Sequence, residues 1–223
     1  CVLLFRVRSE RVPYDPRRLY CYKSRCCQGI LIGVRMRSTL IALSLTLVVT
    51  LGAADVDIRG SVQVAEKRQP NAVVWLESAA KMPRREGPRP VLDQRNLRFS
   101  PQVLAVQVGT TVEFPNSDRV FHNVFSFRDG KKFDLGVYPV GAKKLVLFDR
   151  AGVSRIFCNI HPQMAAYVVS VDSPLYAVSR EDGTFTLAGV PPGTYTYFAW
   201  RAGGAQLSGT FAATPDATLE IRW

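Results

Sequence analysis

The stretch SRIFCNIHPQMAAYVVSV, residues 154–171, sets two β-forming runs on either side of a short loop. Residues 154–158 and 166–171 are rich in branched and aromatic side chains, so each reads as a strand. Between them, Cys158-Asn159-Ile160-His161-Pro162-Gln163-Met164 carries a thiol, an imidazole and a thioether within one tight loop. A loop of that length folds its donors toward a single point.

Working outward, the same grammar repeats. Short β-type runs at 56–64, 72–76, 104–108, 111–114, 122–127, 144–148, 184–188, 194–200 and 219–221 alternate with turn residues. The turns include Gly109-Thr110, Asn116-Ser117-Asp118, Asp129-Gly130, Asp182-Gly183 and Pro191-Pro192-Gly193. From Val56 on, no long stretch holds a helical period. This spacing predicts an all-β sandwich. The phenylalanines Phe114, Phe121, Phe125, Phe148 and Phe157 are expected in its core, and the basic, Pro- and Gly-rich residues 81–89 as a solvated loop.

The chain has two histidines in all, His161 and His122. His122 opens a predicted strand after the Asn116-Ser117-Asp118 turn, and a sandwich can bring that turn to the same end as the Cys158 loop. Two imidazoles, one thiolate and one thioether are the donors of a mononuclear blue-copper centre, with the thioether axial. The soft sulfurs favour Cu(I) and the imidazoles serve both oxidation states. Zinc is the competing metal, but a thioether is an unusual ligand for it. A sandwich holding these four side chains without any metal is the remaining reading.

Of the 223 residues, the N-terminal part reads differently. From Met36, a short basic head, an apolar stretch to Leu51 and the small residues Gly52-Ala53-Ala54 have the layout of a secretory signal at 36–54. Cleavage is expected near Ala54, with a retained anchor as the alternative. Residues 1–35 then read as upstream, non-native sequence. They contain four of the five cysteines, but no Cys-x-x-Cys pair and no histidine, which argues against a zinc knuckle.

Residues 1–54 hold nine Lys/Arg and two acidic residues, so +7 of the formal +11 resides there and +4 remains. That balance does not point to a nucleic-acid partner. The exported part keeps Cys158 as its one cysteine, which cannot form an internal disulfide and suits a metal ligand. A periplasmic or secreted bacterial protein is the expectation, with no membrane span in the mature chain.

With these residues in view, the segment from about Ala72 to Val171 resembles the cupredoxins, the plastocyanin and amicyanin family. The likeness rests on Phe99-Ser100-Pro101-Gln102-Val103-Leu104, on the run from Val108 through Gly109-Thr110-Thr111-Val112-Glu113-Phe114-Pro115-Asn116-Ser117 to Asp118, on His122-Asn123 and on the Cys158 loop. The two-residue gap between His161 and Met164 is similar to the short amicyanin loop. The resemblance implies a Greek-key arrangement of the sandwich, and His122, Cys158, His161 and Met164 as copper ligands. It also implies that Asn123 ties the first histidine's loop to the Cys158 loop, a simple turn role being the alternative.

Residues 173–223 resemble a carboxypeptidase regulatory-like, transthyretin-type β segment through Asp182-Gly183-Thr184-Phe185 and Val190-Pro191-Pro192-Gly193-Thr194-Tyr195. Residues 60–76 resemble the opening strands of the same module. The tail either packs on the first sandwich, at 55–172, or recruits residues 57–76 to complete a second. The second arrangement is the expectation. The combination resembles bacterial proteins labelled methylamine-utilisation or plastocyanin-like, a label that does not establish a pathway.

The function expected is a blue-copper protein carrying single electrons between a redox donor and an acceptor. Paired carboxylates, a Ser-His-Asp set and a phosphate-binding glycine loop are missing, and neither histidine is left for general base work, so no enzyme activity is expected. A metal-handling copper module is the first alternative, although it predicts exposed Met- or His-rich arms. A structural or carbohydrate-binding sandwich with a vestigial site is the second. Lys131-Lys132 and Lys143-Lys144 read either as a docking patch for an acidic partner or as a solvated face. Pro162, Gln163, Ala165 and Ala166 are expected to form an uncharged rim around His161.

Overall fold

The computed structural model describes residues 54–127 and 129–223. The signal expected at 36–54 and the upstream 1–35 therefore lie, but for Ala54, outside the described residues. Every regular element among the described residues is a β-strand. No helix there is long and apolar enough to cross a membrane.

One sandwich is built from a five-stranded sheet facing a two-stranded one. The larger sheet runs Val103–Gln107, Ala165–Val171, Gly152–Phe157, His122–Ser126, Phe133–Tyr138. The smaller pairs Thr110–Pro115 with Lys143–Phe148 in antiparallel register, Lys144 opposite Phe114. Their inner faces close over Val106, Val112, Phe114, Val124, Phe148, Ile156 and Val168, all fully buried.

Strand periodicity decides where the donors point. Successive side chains of a strand alternate faces, and Ser154, Ile156 and Cys158 fall in step, each buried, with Arg155 exposed between them. Cys158 thus points into the sandwich where its strand ends. His122 and Val124, both fully buried, do the same from the neighbouring strand, which pairs through Phe125 opposite Phe157.

The remaining strands form the hairpin of Asp93–Arg95 with Arg98–Ser100 and two larger sheets. Val56–Val64 lies between Thr184–Val190, antiparallel, and Thr218–Arg222, parallel. Across a core of Ile58, Leu76, Phe185, Leu187 and Ile221 sits the sheet Tyr176–Val178, Val73–Glu77, Gly193–Trp200, Leu207–Ala213. Val73–Glu77 is apolar nearly throughout because both of its faces are covered. Val74 and Leu76 face that core, while Val73 and Trp75 pack on Val103, Ala105, Val169 and Val171 of the five-stranded sheet.

Three local expectations are corrected. Phe121 is 57% exposed rather than core. Phe125 and Phe157 are only half-buried, their rings tilted against each other at 5.8 Å between centroids. The arginines of residues 81–89 do not simply sit in water: Arg84 donates to the carbonyl of Gly109, and Arg85 donates to those of Ala188 and Gly189. This segment thereby straps the two sandwiches together.

Candidate metal centre

The loop after Cys158 owes its shape to its sequence. The amide of Met164 donates to the carbonyl of His161 at 2.9 Å, closing a four-residue turn. Pro162 occupies the second position, where its fixed φ favours the turn. His161 is thereby folded back over Cys158. Met164 is 1% exposed and belongs to the same apolar cluster as Cys158.

His122 arrives from a second loop. Asn116, itself buried, donates from Nδ2 to the carbonyls of Val120 at 2.9 Å and Tyr138 at 3.2 Å, while its Oδ1 accepts the amide of Asp118 at 3.1 Å. That Asx turn carries Asp118 to the far side of the His122 ring.

Three donors converge. Sγ of Cys158 lies 3.8 Å from Nδ1 of His122 and 3.8 Å from Nδ1 of His161. The two Nδ1 atoms are 3.0 Å apart, and the rings meet edge to face at 62°. The centre of the circle through these three atoms lies about 2.1 Å from each, a usual metal–imidazole length. The donors thus define a plane sized for one transition-metal ion, and among the described residues they form the His/Cys/carboxylate group able to hold one. The donor set fits copper: a thiolate and two imidazoles in a plane, with a thioether buried in the adjoining cluster.

Asp118, read in the sequence only as part of a turn, belongs to this arrangement. Nε2–H of His122 donates to Oδ2 of Asp118 at 3.0 Å. The amides of Leu97 and Arg119 donate to the same carboxylate at 2.7 and 2.8 Å. The Leu97 amide foremost, then the Arg119 amide and the His122 ring, outweigh partial burial and hold the Asp118 carboxyl down at about 2. A carboxylate ionised across the working range fixes the proton on Nε2 and leaves the Nδ1 lone pair free toward Cys158. Leu97 adopts φ 57° in a two-residue turn between Arg95 and Arg98, where Asn96 has φ 54°. Such turns take left-handed residues at both central positions, and nothing in Asn-Leu advertised one.

Asn123 departs from its expected role. Its Nδ2 donates to Asp134 at 2.7 Å on the neighbouring strand, not to the Cys158 loop, and its Oδ1 is buried with no hydrogen bond. The register explains this: Asn123 pairs with Val137, and the ladder shifts before Phe125 pairs with Asp134, turning the amide toward that edge.

Access is one-sided. His122 is fully buried and Cys158 is 4% exposed, whereas His161 is half-buried, with no hydrogen bond to its Nε2 among the described residues. Its outer edge is where the site meets solvent. Of the expected lysine patch, Lys131 pairs with Asp149 at 2.8 Å and Lys143 with Glu113 at 3.4 Å, while Lys144 donates to the carbonyl of Leu135.

No protein-family model matches the chain, and no curated protein matches it. Solved structures do. A purple cupredoxin from Nitrosopumilus maritimus is 26% identical over 37% of this chain and 99% of its own, with a TM-score of 0.34. An amicyanin variant in the Cu(I) state is 20% identical over 44% of this chain and 98% of its own, with a TM-score of 0.36. A Cu-containing nitrite reductase from Thermus scotoductus SA-01 is 23% identical over 47% of this chain, which spans 26% of that protein, with a TM-score of 0.37. At those TM-scores the likeness adds nothing to the all-β sandwich that the chain's own strand pairing establishes.

Proposed function

We propose that this chain is a cupredoxin-type electron carrier in which His122, Cys158 and His161 would hold one copper ion, with Met164 as a further donor. The observation that carries the reading is the triangle of Sγ and two Nδ1 atoms, with sides of 3.8, 3.8 and 3.0 Å. Copper bound there supplies a one-electron couple between Cu(I) and Cu(II).

The chain's own part is to hold still. Asp118 fixes one imidazole, the Pro162 turn fixes the other, and the end of a central strand fixes the sulfur. Donors supplied by packed elements keep their places when the charge at their centre changes, which lowers the reorganisation an electron transfer demands. The sandwich keeps water off Cys158, and the His161 edge is the route by which a partner approaches. Substrate turnover forms no part of this role, since both imidazoles are committed as ligands.

The reading extends to the whole chain. Residues 36–54 act as an export signal that delivers the protein to the periplasm, the copper-binding sandwich lies within residues 55–172, and residues 173–223 form a carboxypeptidase regulatory-like segment. Pairing of Val56–Val64 with Thr184–Val190 and Thr218–Arg222 supports completion of that last segment by the N-terminal strand. Its partners are a donor and an acceptor redox protein, not nucleic acid.

Voltammetry of the copper-loaded protein tests the carrier role. The reading expects a reversible one-electron wave with copper retained over many cycles. Release of copper on reduction would make the protein a metal-handling module instead.

A further inference from the structure

The end of the sandwich that exposes His161 carries a charge pattern of its own. Arg95 and Arg98 flank the Asn96-Leu97 turn, and both line an open cavity with Gln163 and Met164 of the loop that bears His161. The amide of Leu97 reaches Asp118, next in sequence to Arg119. Arg95 and Arg98 of one hairpin, and Arg119 of the loop that this hairpin's Leu97 amide reaches, thus belong to the same end.

Exposed apolar side chains adjoin the site in sequence. Phe121 and Ile160, each immediately before an imidazole ligand, are 57% and 44% exposed, and Leu97 is 38% exposed. Single exposed apolar side chains are ordinary, but these three stand next to His122, next to His161 and on the residue whose amide holds Asp118.

The positive charge is poorly neutralised. Arg95 pairs with Asp93 at 3.4 Å but remains 62% exposed, and exposed pairs of that kind contribute little. Arg98 and Arg119 are exposed and make no ion pair among the described residues. The Asp118 carboxylate is only 10% exposed and already engaged by His122, Leu97 and Arg119. The lysines on the flank, in contrast, mostly have partners.

We propose that this end docks an acidic redox protein, whose carboxylates meet Arg95, Arg98 and Arg119 around an apolar centre of Leu97, Phe121 and Ile160. The redox nature of the partner rests on the copper reading above; its acidity rests on the arginines. Guanidinium groups pair with carboxylates in two-point geometry and dominate interface energetics more than lysines do. Opposite charge steers the encounter, and a small apolar centre lets it end quickly, as a transient redox contact requires. A second copy of this chain presents the same positive end, so the charge argues against self-association there.

The test uses the full chain under reducing conditions, followed by amide NMR as the paramagnetic anion hexacyanochromate(III) is added. Broadening is expected at residues 96–98, at Arg119 and at Gln163. It should weaken several-fold when ionic strength rises from roughly 10 to 200 mM, be relieved by poly-L-glutamate, and vanish in R95Q/R98Q/R119Q. Broadening centred on Lys131 and Lys143, or none at all, overturns the proposal, and so does broadening that poly-L-glutamate fails to relieve, which would mark an inorganic-anion pocket only. In the copper-loaded chain, oxidation by hexacyanoferrate(III) should slow about tenfold in the triple variant at low salt, while oxidation by tris(phenanthroline)cobalt(III) should not slow. The NMR arm needs no metal, so a chain that fails to bind copper sinks the electron-carrier reading and leaves the anion result standing.

Discussion

Asp118 grips His122 from behind: Oδ2 stands 3.0 Å from Nε2, on the side of the ring opposite Cys158. The same oxygen accepts the Leu97 amide at 2.7 Å, so one carboxylate joins a remote hairpin to the metal centre. Asp118→Asn keeps the shape and removes the charge. Metal affinity is expected to fall by about 10- to 100-fold, measured by competition with a copper chelator of known affinity. A purely structural Asp118 would lower the unfolding midpoint and leave affinity unchanged.

Met164 fills a 1% exposed position in the cluster that also holds Cys158. Met164→Leu conserves volume and apolarity, so stability should change by less than about 1.5 kcal/mol. The copper-loaded variant should keep its colour and show a shifted potential by voltammetry, because only the axial donor is lost. An unchanged potential would remove Met164 from the ligand set.

Tyr138 gives a pH signature. Its side chain donates to the carbonyl of Phe114 at 3.1 Å and accepts from Gln94 Nε2, and burial, foremost, pushes its phenol well above the ordinary 10.0. The folded chain therefore holds this proton more tightly than the unfolded one. The stability it lends is complete below pH 10.0 and drains away as pH rises beyond that value. Urea unfolding between about pH 9 and 11 should show a larger loss in the native chain than in Tyr138→Phe, where Tyr176 and Tyr195, also raised by burial, still contribute.

Trp75 links the two sandwiches. It stacks on Phe198 at 5.2 Å, donates to Glu77 at 2.8 Å and packs with Val103 and Val169. Trp75→Ala should destabilise by about 3–5 kcal/mol, read from urea unfolding, while copper stoichiometry stays the same. A loss below about 1 kcal/mol would mean that this contact contributes little.

What the sequence revealed follows from how locally each feature is encoded. Central strands such as Gly152–Phe157 and Ala165–Val171 stand out through branched residues in alternation. The edge strand Phe133–Tyr138 was hidden because Gly136, at φ 63°, interrupts it. Leu207–Ala213 was hidden by its Ser, Gly and Ala content, and gains its conformation only by pairing with Gly193–Trp200. The convergence of Cys158 and His161 was legible because they lie in one short loop, and that of His122 because the chain has no third histidine. Asp118, Leu97 and the arginine rim were not, since their roles arise from a contact spanning 21 positions. Asn123 shows the converse: its place beside His122 suggested a role that strand register redirected to Asp134.

The most direct test is a Cu(II) titration of the intact protein, followed by visible and EPR spectra, beside Cys158→Ser. One equivalent should produce intense thiolate-to-copper absorption near about 600 nm, absent from the variant. A protein that stays colourless, or a variant that keeps the band, would contradict copper ligation by Cys158.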